Sequence, residues 1–128
     1  MKVKVSEATP LQLNWLVAKC GGLLAAGRVV VDFKYMSGES PVRWEPRLST
    51  YYSSAYSPAT DWAHGGPIIE REGINIQQSP DRDCWMAHNE SPASEGPTPL
   101  IAAMRCYVAF ELGDEVEVPD ELIKGESK

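Results

Sequence analysis

The sequence predicts an α+β fold in which a small, mostly antiparallel sheet is flanked by an N-terminal and a C-terminal helix, as in an α-β-α sandwich. Segments with clear helix signals stand near both ends of the chain. Between them lie short β-branched or alternating runs separated by turn residues. The 128 residues, 43% of them apolar, are typical of one domain. We predict a single domain over residues 1–124 and a frayed tail at 125–128.

The first helix is predicted over residues 10–20. Thr9 suits the N-cap, Pro10 suits the first helical position, and Gly21 with Gly22 ends the run. The apolar residues between these signals recur at helical spacing.

A strand and a long loop follow. Residues 29–35 are β-branched and aromatic, which is typical of a strand. Residues 37–58 contain six Ser, three Pro and three Tyr with little periodicity. Loops of this length are uncommon in compact domains and are often functional or mobile. We therefore predict either an ordered aromatic loop or a mobile insertion.

The middle of the chain predicts short helices and a hairpin. Residues 57–63 resemble a capped helix that Gly65 and Gly66 stop, and Pro67 begins a second helical turn that ends at Gly73. Residues 74–77 and 84–88 then alternate as two strands around turn residues.

The strongest helix signal comes after a polar connection at residues 90–97. Thr98 can cap this helix, Pro99 begins it and Gly113 ends it, with apolar residues at three- and four-residue steps between them. Residues 116–118 can add an edge strand, since Pro119 cannot continue a ladder.

The net charge of −6 is unevenly distributed. Residues 1–58 hold seven Lys or Arg and four Asp or Glu, whereas residues 59–110 hold three and seven, and residues 111–128 hold two and seven. A general nucleic-acid binder needs a basic footprint, so the overall charge argues against one. No apolar run approaches the ~18–20 residues of a membrane span, so we expect no membrane partner.

The three cysteines are spaced neither as a disulfide framework nor as a metal knuckle; they are Cys20, Cys84 and Cys106. The start of the chain lacks the apolar block of a secretory signal. We therefore expect reduced thiols in a cytoplasm. Cys84 and His88 would lie about 13 Å apart along a strand, too far for one ion, so we predict no metal site and no cofactor.

No nucleotide-binding, metalloprotease or esterase motif is present. The densest group of chemistry-bearing residues lies at residues 60–67. A carboxylate, a titratable imidazole and a Gly-Gly pair before a helix start could form a ligand pocket. The same residues could instead cap the helix, pack in the core and stop the helix. The speculative ligand-binding residues are Tyr56, Asp61, Trp62, His64, Gly65, Gly66, Arg71 and Arg105.

Arg105 has two interpretations of its own. It lies beside core positions of the last predicted helix, where an arginine usually pairs with a carboxylate or a carbonyl. It could also face an anionic ligand.

Several blocks of the chain resemble the phage NinX-like family. They are residues 56–74 (YSPATDWAHGGPIIEREGI), 96–108 (GPTPLIAAMRCYV) and 112–119 (LGDEVEVP), together with the opening residues 1–7 and 13–20. Residues 36–54 lie outside the resemblance. The resemblance implies a small accessory protein of temperate tailed phages, from a family whose function is not known and that offers no catalytic residues to carry over. It also implies the cytoplasm of a bacterial host. A weaker similarity to phage α-β-α sandwich domains supports a sheet flanked by helices.

The leading hypothesis is a non-enzymatic accessory protein that binds a host or phage protein. Four Trp and five Tyr exceed what a small core readily absorbs, so a homo-oligomer is a second expectation. The first alternative is the binding or sequestering of a nucleotide-like or other anionic small molecule, with Arg71 and Arg105 as its cations. The second is hydrolysis or group transfer through Asp61 and His64.

Overall fold

A computed structural model describes residues 1–31, 40–44, 55–81, 83–89 and 93–124 of the protein. It confirms the α+β class, with helices packed on short antiparallel strands. In chain order the elements are β1 (Lys2–Lys4), α1 (Pro10–Cys20), β2 (Val29–Val31), β3 (Val42–Trp44), α2 (Trp62–Glu72), β4 (Asn75–Gln78), β5 (Trp85–His88), β6 (Ser94–Gly96), α3 (Pro99–Leu112), β7 (Glu115–Glu117) and α4 (Asp120–Lys124).

Helix α3 lies at the centre of the molecule and packs against β5, β6, α1 and α2. Its first half is apolar on nearly every side, and the five residues from Leu100 to Met104 are all buried. A helix without a polar face in its first turns must be covered on all sides, which explains its central position. Thr98 caps it by accepting the Ile101 N–H at 3.1 Å.

Helix α1 has the predicted bounds and packs against α3. Thr9 accepts the Gln12 N–H, while the Gln12 side chain accepts the Thr9 N–H at 3.1 Å, which completes a capping box. The buried Asn14 side chain accepts the Ala59 N–H at 3.0 Å. This bond ties the segment before α2 to α1 and so positions the start of α2.

The strands form three small sheets rather than one. β1 pairs with β7, β2 pairs with β3, and β4, β5 and β6 form a three-stranded sheet in that order. Every pairing among these described strands is antiparallel. The predicted hairpin is therefore confirmed, with Ile76 opposite Ala87, and β6 extends it.

Helix α2 differs from the prediction of two short pieces. Gly65 and Gly66 do not stop a helix; a single helix runs through them and through Pro67 to Glu72. The prediction treated the two glycines as a helix-ending signal. A Cβ at Gly65 would lie 2.6 Å from Leu100 Cδ2 and would overlap the Pro58 carbonyl oxygen. Close packing, not helix termination, explains this glycine. The helix ends at Gly73, which adopts a left-handed conformation with φ 65°.

The remaining predictions are met in part. Strand β2 covers the first three residues of the predicted strand, and residues 32–35 lie outside the described residues. The stretch predicted as a loop contains β3, and its residues 37–39 and 45–54 are likewise outside. The tail at 125–128 is not described either. The buried apolar side chains form one core cluster, and the single domain over 1–124 stays a prediction.

Candidate functional site

Asp61 precedes α2 and acts as its N-cap. Its Oδ1 accepts the Ala63 N–H at 2.9 Å, and the side chain is half exposed. A carboxylate at this position satisfies a free backbone donor and interacts favourably with the helix dipole. The structure therefore gives Asp61 a local structural role.

His64 lies one turn into α2 and faces back towards the segment before the helix. Its Nδ1 accepts the Ser57 N–H at 3.0 Å, and the same nitrogen lies 3.8 Å from Asp61 Oδ2. A nitrogen that accepts a hydrogen bond carries no proton, so the neutral ring has its proton on Nε2. An Asp–His catalytic pair needs the opposite arrangement, with an Nδ1–H donated to the carboxylate. The observed bonds do not form such a pair.

His64 also contacts two aromatic rings, and we call Trp44, Tyr56 and His64 the aromatic cluster. The ring centroids of Tyr56 lie 5.1 Å from Trp44 and 5.4 Å from His64, and Trp44 lies 6.2 Å from His64. These separations suit edge-to-face or tilted aromatic contacts. The cluster joins β3, the segment before α2, and α2 itself.

Tyr56 is the buried member of the aromatic cluster, with an exposed fraction of 5%. Its N–H donates to the Val42 carbonyl at 2.7 Å, and its carbonyl accepts the Ser40 hydroxyl at 3.0 Å. Burial raises the pKa of the Tyr56 phenol to about 12, because ionisation would place a charge in a poorly solvated position. Tyr56 is thus neutral at physiological pH.

Trp62 stands apart from the aromatic cluster. The exposed fraction of Trp62 is 55%. The alternative to a ligand pocket in the sequence analysis placed this side chain in the core, and that expectation is wrong. Trp62 is the first residue of α2, where the helix starts at the protein surface. Gly66 lies nearby in sequence, and an added Cβ there would meet no atom within 4 Å.

Arg71 lies at the far end of α2, with 57% of its side chain exposed. Its Nε donates to Glu72 Oε2 at 2.8 Å, and Nη2 donates to the Tyr107 hydroxyl at 3.4 Å. The bond to Glu72 raises the pKa of Arg71. His64 and Arg71 are seven positions apart in α2, which is about two helical turns, so these two sequence-predicted residues lie on the same side of the helix.

Arg105 lies on α3 and faces away from the side on which Tyr107 contacts Arg71. Its Nη1 donates to the Glu95 carbonyl and its Nη2 to the Ala8 carbonyl, both at 2.8 Å. The Nε atom is buried and makes no hydrogen bond with the described residues. Burial lowers the pKa of the Arg105 guanidinium. The sequence favoured a pairing of this arginine with a carboxylate or a carbonyl, and the structure shows two carbonyls. Ala8 is 97 residues and Glu95 is 10 residues from Arg105 in the sequence.

Arg105 also lies in the floor of an open groove of about 980 Å³, which we call the acidic groove. It is lined by residues 4–6, 83–84, 93–97, 105, 109 and 114–115. Of the predicted site residues, only Arg105 lines it, and none of the aromatic cluster does. Sequence reasoning missed this groove because its walls come from separate segments that share no motif. The only sequence signal was the excess of Asp and Glu after residue 58.

Two further observations concern the described part of the chain. No group of three or more His, Cys, Asp or Glu side chains is arranged to hold a metal ion among these residues. Within the same ranges, none of the helices has the length and apolar character needed to cross a membrane.

Comparison with known proteins gives one family. No curated protein matches the chain. The sequence model described as Bacteriophage P22, NinX matches residues 4–111, which include both long blocks at 56–74 and 96–108 and exclude the block at 112–119. Since this match covers most of the 128 residues, the chain belongs to the phage NinX family.

Proposed function

We propose that this protein is a non-enzymatic accessory protein that binds a host or phage protein in the cytoplasm of the bacterial host. Membership of the NinX family indicates a phage accessory protein. The observation that supports protein binding is the acidic groove, which is open to solvent and has a volume of about 980 Å³. Small-molecule sites of ~300–1,000 Å³ enclose most of their ligand, so an open groove of this size fits a polypeptide better.

The charge of the groove favours a protein over a nucleic acid. Its exposed edge carries four carboxylates, those of Asp83, Glu95, Asp114 and Glu115. Nucleic-acid binding gains its free energy by neutralising phosphates with cations, and these carboxylates would repel phosphates instead.

The proposal is tested by affinity capture from phage-infected host cells, with intact mass spectrometry of what is retained. We expect a polypeptide in a fixed stoichiometric ratio to the captured chain. Retention of a small molecule without a polypeptide would contradict the proposal. Native mass spectrometry of the purified protein also reports a homo-oligomer, which we expect from the exposed aromatic side chains Trp62 and Phe110.

A second candidate is the binding of an anionic small molecule beside the aromatic cluster. It is supported by the Arg71 guanidinium, which lies 5.9 Å from the centroid of the Tyr107 ring and on the same side of α2 as His64, since a cation next to aromatic rings suits an anion that carries a ring. If this candidate is right, the native mass spectrum shows a retained ligand that is lost in Arg71→Met. Hydrolysis through Asp61 and His64 gains no support, because both side chains are engaged in backbone hydrogen bonds.

A further inference from the structure

We infer that the acidic groove binds a basic segment of the partner protein. This inference rests on the proposed function, because it names the surface and the chemistry of the partner that the function requires. It is carried by the excess of exposed carboxylates along the groove, beside the apolar side chains of Val5 and Ala109.

The groove combines a covered floor with an exposed charged edge. We call its buried or half-buried lining residues the floor; they are Val5, Cys84, Ser94, Gly96, Arg105 and Ala109. The four carboxylates of the edge and the Lys4 amine are all exposed. The edge therefore offers more negative than positive charge, and the floor beside it includes the apolar side chains of Val5 and Ala109.

The cations within the groove leave most of this negative charge available. Arg105 in the floor already donates to two backbone carbonyls. Lys4 lies directly opposite Glu115 in the β1–β7 ribbon, so it offsets one carboxylate at most. Among the described residues, Asp83, Glu95 and Asp114 have no ion pair. A partner that supplies cations would neutralise these three.

Lysine and arginine side chains match both parts of the groove. Their methylene stems pack on apolar surface, and their charged ends remain near water, where carboxylates can pair with them. Arginine adds two-pronged hydrogen bonding to a carboxylate. A small inorganic cation would pair with the edge but would gain nothing from the apolar side chains of the floor.

The partner is expected to contact the groove through its side chains. The Glu95 carbonyl of β6 already accepts a hydrogen bond from the Arg105 guanidinium at 2.8 Å, so we do not expect a strand added to β6 through this carbonyl.

The test uses two fluorescent ten-residue probes, one of alternating Lys and Ala and the other of alternating Glu and Ala. Fluorescence anisotropy at low ionic strength measures their binding to the full chain. We expect binding of the Lys probe, weakening as salt rises, and none of the Glu probe. The groove variant Glu95→Gln/Asp114→Asn/Glu115→Gln should bind the Lys probe roughly tenfold more weakly, from the combined loss of several surface ion pairs.

The matched control removes the same number of charges elsewhere. Glu70→Gln/Glu111→Gln/Glu121→Gln changes three exposed glutamates that do not line the groove. We expect its affinity for the Lys probe to stay within about twofold of the unaltered chain. All six positions are exposed, and thermal melting checks that both variants fold. Equal losses in the two triple variants, or no binding of the Lys probe, would overturn the inference.

The capture experiment separates this inference from the proposed function. If the groove variant retains the captured polypeptide as well as the unaltered chain does, the protein binds its partner elsewhere, and only the groove inference fails. If the Lys probe binds in the groove but no polypeptide is captured from infected cells, the proposed function fails although the groove does bind basic peptides.

Discussion

The aromatic cluster and the acidic groove are each associated with one of the two arginines that the sequence singled out: α2 carries both His64 and Arg71, whereas Arg105 of α3 lines the groove. Arg71, on the same helix as His64 of the aromatic cluster, is mostly exposed and pairs with its sequence neighbour Glu72. Arg105, in the groove, is half buried and holds carbonyls of two distant segments. Within α3, Tyr107 faces Arg71, whereas Arg105 and Ala109 face the groove.

This difference shows that the burial and the partners of an arginine determine its contribution. A bond to a carboxylate raises the pKa of Arg71, while burial lowers that of Arg105. The Arg71–Glu72 contact is a surface ion pair, and such pairs contribute little to the stability of the folded protein. Arg105 acts as a cross-link whose removal leaves carbonyls without their donors. The following predictions rank the features of the two regions by their expected effect on stability.

The largest effect is expected from Arg105→Met. It removes two hydrogen bonds from a charged donor, and each such bond contributes about 1.5–3 kcal/mol. We expect the free energy of unfolding to fall by ~3 kcal/mol, measured by urea denaturation. Arg71→Met is the control, with an expected loss under ~1 kcal/mol. Equal losses would show that the two arginines do not differ as described.

The next effect concerns the packing of α2 on α3. Gly65→Ala places a Cβ against the Pro58 carbonyl and Leu100, and overpacking of this kind costs about 1–3 kcal/mol. Gly66→Ala meets open space, so we expect a change within ~1 kcal/mol, as better helix propensity offsets the restriction before Pro67. Thermal denaturation of both variants measures the difference. A loss in Gly66→Ala as large as in Gly65→Ala would contradict the packing argument.

A smaller effect is expected at the helix cap. Asp61→Ala removes the acceptor of the Ala63 N–H and should destabilise the protein by ~1 kcal/mol. Asp61→Asn keeps an acceptor at the cap and should stay close to the unaltered stability. If Asp61→Asn abolishes partner capture while stability is retained, Asp61 has a role beyond capping.

The last effect vanishes at neutral pH and concerns two side chains with raised pKa values, Tyr56 of the aromatic cluster and Cys20 at the end of α1. Burial raises the pKa of Cys20 from 9.0 to about 12 and that of Tyr56 from 10.0 to about 12. The unfolded chain thus releases these protons first, so stability is intact below pH 9 and falls as the pH rises towards 12. Cys20→Ser and Tyr56→Phe should each reduce this alkaline loss in urea titrations. If neither substitution changes how the free energy of unfolding depends on pH, Cys20 and Tyr56 do not cause the alkaline loss of stability.

Parts of the aromatic region could be predicted from local sequence. Residues 56–74 form one continuous stretch, and helix signals placed Asp61 and His64 within one turn of each other. The partners of these residues could not be predicted, because His64 binds the backbone of Ser57 and Tyr56 is held by β3. The groove was beyond prediction altogether, since β1, β6, α3 and β7 approach one another only through long-range pairing.

The sequence by itself determined the α+β class, the bounds of α1 and α3, and the hairpin of β4 and β5. These features follow from caps, helix-ending glycines and apolar periodicity, which act over a few neighbouring residues. The tertiary structure alone decided that α2 continues through Gly65, that Arg105 joins two distant carbonyls, and that four separated carboxylates surround one groove. Each of these depends on which segments pack together, and close packing and long-range hydrogen bonds leave no local pattern in the chain.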